Sequence, residues 1–176
     1  ARVGLNQKIP DEIDRYYAFV EESAVADDIA INKSKQMMAT ISQVIEDPDR
    51  LELIVKDIIS HYEERKTMDA DHAMVVAYSR KSAYIMYKKF LELRPDYEDV
   101  VNMIITPSNK DSEEMQKAIG TKCDKKELER KFKSEEPGEK FKIAIVVDMW
   151  LTGFDVPQLG TMYIDKPMKA HNLMQA

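Results

Sequence analysis

The chain has 176 residues, 44% of them hydrophobic and 33% charged, with 26 basic against 32 acidic residues and a formal net charge of −6. That length suits one domain or one plus an appendage. The apolar share allows a core and excludes a disordered tail, and no apolar run approaches the ~20 residues that span a bilayer. The acidic balance lowers the expectation of a free-standing nucleic-acid binder, which normally carries a basic excess against phosphate. It leaves room for a local basic surface, or for a channel completed by other domains.

The single cysteine, Cys123, can form neither an internal disulfide nor a cysteine-based zinc site, which fits a reducing, cytoplasmic setting. The chain opens Ala1-Arg2-Val3 without a signal-peptide pattern. It stops at Asn172-Leu173-Met174-Gln175-Ala176, in what reads as the first turns of a helix. We read it as a fragment of a larger protein.

In chain order, the first third reads helical. Ile13, Tyr16, Tyr17 and Val20 follow amphipathic spacing over residues 11–23, and residues 27–45 carry a looser pattern. Asp47 as N-cap with Pro48 at the first helical position starts a helix whose Leu51, Ile54, Val55, Ile58, Ile59 and Tyr62 share a face. The period then changes. Ala73-Met74-Val75-Val76-Ala77-Tyr78 predicts a strand buried on both faces. Ser79 predicts the cap of a helix that ends before Pro95, and residues 100–105 predict a second strand. Weak helical spacing covers residues 111–119. Asp124 and Glu127 suggest a capping box for a helix over residues 124–133. Residues 142–147 are the strongest strand, residues 161–165 a shorter one, and Lys169 onward looks helical.

Strands alternating with helical stretches predict βαβ crossovers and a parallel sheet. The expected organisation is α/β, with a helical segment over residues 1–67 leading into a domain over residues 68–176. Ligands of such sheets bind beyond the C-terminal strand ends. That directs attention to Ser79-Arg80, Thr106-Pro107-Ser108, residues 148–157 and Asp165-Lys166-Pro167.

The most informative stretch is Val146-Val147-Asp148-Met149-Trp150-Leu151-Thr152-Gly153-Phe154-Asp155-Val156-Pro157. A glycine here allows close backbone approach to a ligand. A carboxylate just beyond it suits ribose hydroxyls. On the residues alone, an ordinary loop with Asp155 capping its turn is the more favoured explanation of the stretch.

This stretch, with Gln158-Leu159-Gly160-Thr161-Met162-Tyr163-Ile164-Asp165-Lys166-Pro167-Met168-Lys169 and His171-Asn172-Leu173-Met174-Gln175-Ala176, resembles motif V and the start of motif VI. The motifs are those of the second motor domain in the restriction (R) subunit of type I restriction enzymes. Ser79-Arg80 resembles the motif IV region, and the helix around residues 47–64 resembles the segment leading into that domain. The likeness covers most of residues 48–176 and is weaker over residues 1–47.

The resemblance implies a RecA-like, superfamily 2 helicase C-terminal-type domain, truncated within motif VI. In that family two such domains clamp ATP with Mg²⁺ and translocate double-stranded DNA. The R subunit also carries a nuclease domain, and it cuts DNA with the modification and specificity subunits. On this basis Gly153 and Asp155 belong to the ATP face, with Asp155 toward the ribose. Thr152 stands where many relatives carry Arg, Val147 where other helicases carry a phosphate-contacting Thr, and Gln175 opens motif VI. Ser79, Arg80, Thr106 and Ser108 are the nucleic-acid candidates. Ser79 reads equally as a helix cap, and Thr106-Pro107-Ser108 reads more readily as a plain turn.

Neither a G-x-x-x-x-G-K-[ST] phosphate loop nor an acidic Mg²⁺ box occurs in the chain, so no ATPase activity is expected from this piece alone. The acids around Asp96, Glu98 and Asp99 read as a solvated loop rather than a nuclease site. His61, His72 and His171 lack metal-ligand spacing. The stretch Lys122, Lys125, Lys126, Arg130, Lys131 and Lys133 reads as a solvated face and is also the best local phosphate patch. Two other readings stay open: the matching domain of another helicase-like ATPase or remodeller, and a non-catalytic α/β interaction module.

Overall fold

The structure is a computed structural model that describes residues 42–65, 71–134, 136, 138–147 and 156–166. In chain order these form α1 (Pro48–Arg65), β1 (His72–Ala77), α2 (Arg80–Leu93), a 3₁₀ turn (Pro95–Tyr97) and β2 (Val101–Met103). There follow α3 (Glu113–Ile119), α4 (Lys122–Phe132), β3 (Ile143–Val146) and β4 (Leu159–Asp165). The described strands make one sheet in the order β2-β3-β1-β4, and every pairing is parallel. The chain is therefore α/β with a parallel sheet and flanking helices, and a helical segment precedes it. The expected helices over residues 11–23, most of 27–45 and 169 onward lie outside the described residues, as does the 67/68 division.

The unbroken apolar runs have a direct cause: both faces of the sheet are covered. Ala73, Val75, Ala77, Ile143, Ile145, Val101 and Met103 pack on one side with Leu51, Val55, Ile58 and Tyr62 of α1 and Ala83, Met86 and Phe90 of α2. Met74, Val76, Ala144 and Val146 face the other side, against Phe132 of α4, Phe141 and Val156. Alternate residues serve alternate layers, so the interior positions of the central strands are apolar and the buried polar side chain of β1 is His72 at its first residue. Burying each Val, Leu, Ile, Met or Phe side chain among them contributes roughly 1.5–3 kcal/mol.

Local signals set the element ends. The Asp47 carboxylate accepts from the Arg50 N–H at 2.9 Å and opens α1. The Ser79 hydroxyl accepts from the Ser82 N–H at 3.1 Å and opens α2. The capping box of α4 lies one turn earlier than the sequence suggested. The Thr121 N–H donates to the Asp124 carboxylate at 2.6 Å, and the Asp124 N–H donates to the Thr121 hydroxyl at 3.3 Å. Gly120, which closes α3 at φ 71°, leaves only 2.8 Å between the Asp124 carboxylate and the place a Cβ would occupy. A side chain there would meet both strain and a clash.

β4 begins two residues before the expected Thr161. His72 pairs with Leu159 and Ala73 with Thr161, so Gly160 is the extra residue of a bulge. A glycine inside a strand hides such a start, because it breaks the apolar pattern while the pairing continues.

Candidate functional site

Because the sheet is parallel, the strand ends share one rim. Along it the chain leaves β2 at Ile104, β3 at Val147, β1 at Tyr78 and β4 at Lys166. The root of the residue 148–157 loop thus stands between the Thr106 tip and the Ser79 tip. At the far end of this connection Val156 is buried on the α4 face, before the chain enters β4. The candidates Thr152, Gly153, Asp155 and Gln175 lie outside the described residues.

Arg80, the first residue of α2, reaches across the rim to the segment after β2. Its Nη1 donates to the Thr106 carbonyl at 2.6 Å, and its Nε donates to Asp111 Oδ1 at 3.0 Å. Nη2 donates to the second Asp111 oxygen, which completes a bidentate pair. The Asp111 side chain is 6% exposed and that of Arg80 33%. The guanidinium holds the Asp111 carboxyl below its ordinary range, and the Ser108 N–H, which donates to Asp111 at 3.0 Å, acts in the same direction.

Ser79 is turned inward. Besides capping α2, its hydroxyl donates to Glu46, whose second oxygen lies 3.3 Å from Lys81 Nζ. The Tyr78 hydroxyl meets Ser42 at 3.1 Å. The residues just before α1 are therefore tied to the end of β1. Arg50 makes a similar tie to the end of β4: it pairs with Asp165 through both nitrogens and donates to the Ile45 carbonyl at 2.8 Å.

Thr106 and Ser108 face outward by contrast. Thr106 Oγ1 accepts from Lys125 Nζ at 3.2 Å, and Ser108 Oγ accepts from the Lys110 N–H at 3.3 Å. Among the described residues no acceptor takes either hydroxyl proton. A hydroxyl carries one donor and two lone pairs, so both can donate to an arriving oxygen. Beside them runs a groove of about 480 Å³ lined by Ser108, Asn109, Gln116, Lys117 and Thr121.

The structure thus brings Arg80, Thr106 and Ser108 together and keeps Ser79 engaged with Glu46. Sequence reasoning missed Asp111, Glu46 and the Arg50–Asp165 pair. An arginine leaving a buried strand calls for an acidic partner, but nothing local selects one among 32 acidic residues. Elsewhere, Asp99 pairs with Lys140 at 3.0 Å in solvent, as expected of a solvated loop. No three His, Cys, Asp or Glu side chains converge among the described residues. No helix of the described residues is long and apolar enough to cross a membrane.

Comparison with known proteins adds a family. Residues 6–176 match the family described as type I restriction enzyme subunit R domain 3. The chain is 42% identical over 134 residues to the type I restriction enzyme HindI endonuclease subunit of Haemophilus influenzae, covering 73% of this chain and 12% of that protein. It is 37% identical over 164 residues to a Methanocaldococcus jannaschii protein whose name assigns it to the MjaIXP endonuclease subunit of a type I restriction enzyme. That match covers 93% of this chain and 16% of the relative. The chain spans less than a fifth of the length of these relatives. On residues 6–176 it belongs to the type I restriction enzyme R-subunit family.

Proposed function

We propose that this chain is the second RecA-like motor domain of a type I restriction enzyme R subunit. It would contribute half of an ATP site and part of the track for ATP-dependent translocation of double-stranded DNA before endonucleolytic cleavage. The observation that carries the reading is the shared rim. The root of the 148–157 loop stands between two strand tips, and one of these, at Thr106 and Ser108, offers outward hydroxyl donors. Hydroxyls and backbone N–H groups, alongside lysine and arginine, are common partners of DNA phosphates. The match to the third domain of subunit R and the names of the relatives, which are endonuclease subunits, support the same reading.

In this proposal Thr152, Gly153, Asp155 and Gln175 meet the nucleotide, with the Asp155 carboxylate accepting from the ribose hydroxyls. Ser79, Arg80, Thr106 and Ser108 form the DNA side. ATP supplies the phosphoryl transfer that drives movement, and Mg²⁺ would be held by acidic residues of the first motor domain. The chain has no phosphate loop of its own, so the isolated piece turns over no ATP. The remaining partners are the nuclease domain of the same polypeptide and the modification and specificity subunits, in the cytoplasm.

The test is Asp155→Ala in the full-length subunit assembled with its partners. DNA-stimulated ATP hydrolysis and translocation should fall at least ~10-fold, the scale of one lost charge-assisted contact. Wild-type translocation by the variant removes Asp155 from the nucleotide site.

A further inference from the structure

We infer that Arg80 and Asp111 form a brace that presents the 106–111 loop to the DNA backbone, with Asp111 as the positioning residue and Thr106, Ser108 and Lys110 as the groups that touch phosphate. The inference rests on the DNA-side reading above and changes which residues carry it. An arginine has five N–H donors. Arg80 directs three of them inward, two to the Asp111 carboxylate and one to the Thr106 carbonyl. Its charge is matched by a nearly buried carboxylate, so it is a poor source of the counterion release that drives phosphate binding.

The same carboxylate organises the loop. Asp111 accepts from the Ser108 N–H, and its own N–H donates back to the Ser108 carbonyl at 3.1 Å. The Gln116 amide donates to the Asp111 carbonyl at 2.9 Å, fastening the turn to α3. With the Ser108 and Asp111 backbone groups bonded internally, the loop turns the Thr106 and Ser108 hydroxyls outward and carries an exposed lysine, Lys110. A loop already held in its bound shape loses less freedom on binding, so the brace raises affinity without touching the ligand.

The test uses the full-length subunit, a nonspecific DNA duplex and a KCl series, with amide exchange read at Ser108. Arg80→Lys keeps the charge and loses the fork. It should weaken DNA binding roughly fivefold with an unchanged salt slope, and should expose the Ser108 amide while the thermal midpoint and the KM for ATP stay put. Asp111→Glu, which retains both acceptor oxygens, should restore most of the affinity that Asp111→Asn loses. The charge-balanced pair Arg80→Gln with Asp111→Asn should also leave the slope unchanged, whereas Lys110→Gln should lower it by about 0.9.

A slope that falls by about 0.9 in the charge-balanced pair makes Arg80 a direct phosphate contact and overturns the inference. Wild-type binding and protection in Arg80→Lys overturn it equally. If Arg80→Lys exposes the Ser108 amide while no variant, Lys110→Gln included, alters affinity or slope, the brace exists but the DNA-side reading falls, and the inference with it.

Discussion

At the C-terminal rim of the sheet, charges leave water in pairs that join distant segments. Arg50 (17% exposed) holds Asp165 (11% exposed) at the end of β4, and Arg80 holds Asp111 after β2. At the N-terminal rim the pairs are wetter: Lys140 with Asp99 stands in solvent, and the carboxylates of Lys142–Asp71 and Arg94–Glu63 stay about a third exposed. Among the described residues the buried polar side chain there is His72, 1% exposed and edge-on to Phe132 at 5.2 Å. A buried ion pair adds little net stability over an apolar pair, yet it is costly to break from one side. Both rims tie distant segments, but the C-terminal rim does so with the carboxylates most deeply withdrawn from water.

The largest effect that would test this contrast is expected at Arg50. Arg50→Met leaves Asp165 without its guanidinium and should cost roughly 2–3 kcal/mol in urea unfolding, most of which returns when Asp165→Leu is added. A loss below about 0.5 kcal/mol would make the rim's ties no different from surface pairs.

The next effect is a pH dependence. Burial, helped by Lys142, lowers the His72 pKa below 6.5, against a smaller opposing pull from Asp71. Below pH 6.5 the unfolded chain then binds a proton that the folded chain resists. The stability is full above 6.5 and falls as the pH drops toward the folded value. The urea midpoint should decline on going from about pH 7 to pH 5, and His72→Phe should flatten that decline. Equal slopes in the two proteins would place the acid sensitivity elsewhere.

The smallest effect is expected at Lys140. Its pair with Asp99 is 69% and 66% exposed, so Lys140→Ala should shift stability by less than about 0.5 kcal/mol in the same urea titration. A loss above 1 kcal/mol would erase the distinction between the rims.

Much of the fold was legible residue by residue. Asp47-Pro48 opens α1 and Ser79 opens α2 where the sequence placed them, because a cap is a contact across three residues. The apolar runs over residues 73–78, 100–105 and 142–147 contain β1, β2 and β3, since burial on both faces demands unbroken hydrophobicity. β4 was read short because Gly160 interrupts its pattern at a bulge. The site was legible only as a set of strand tips. That Ser79 would give its proton to Glu46, 33 residues away, has no local signature.

The sequence by itself determined the element types, their order and the parallel arrangement, because periodicity and capping act over a few residues. Tertiary structure alone decided which charges meet. Arg80 finds Asp111 across 31 positions and Arg50 finds Asp165 across 115. Coulomb attraction does not identify a partner along a chain carrying 32 acids. Only the packing of α1 and α2 onto the sheet brings one particular carboxylate within hydrogen-bonding reach and takes it out of water.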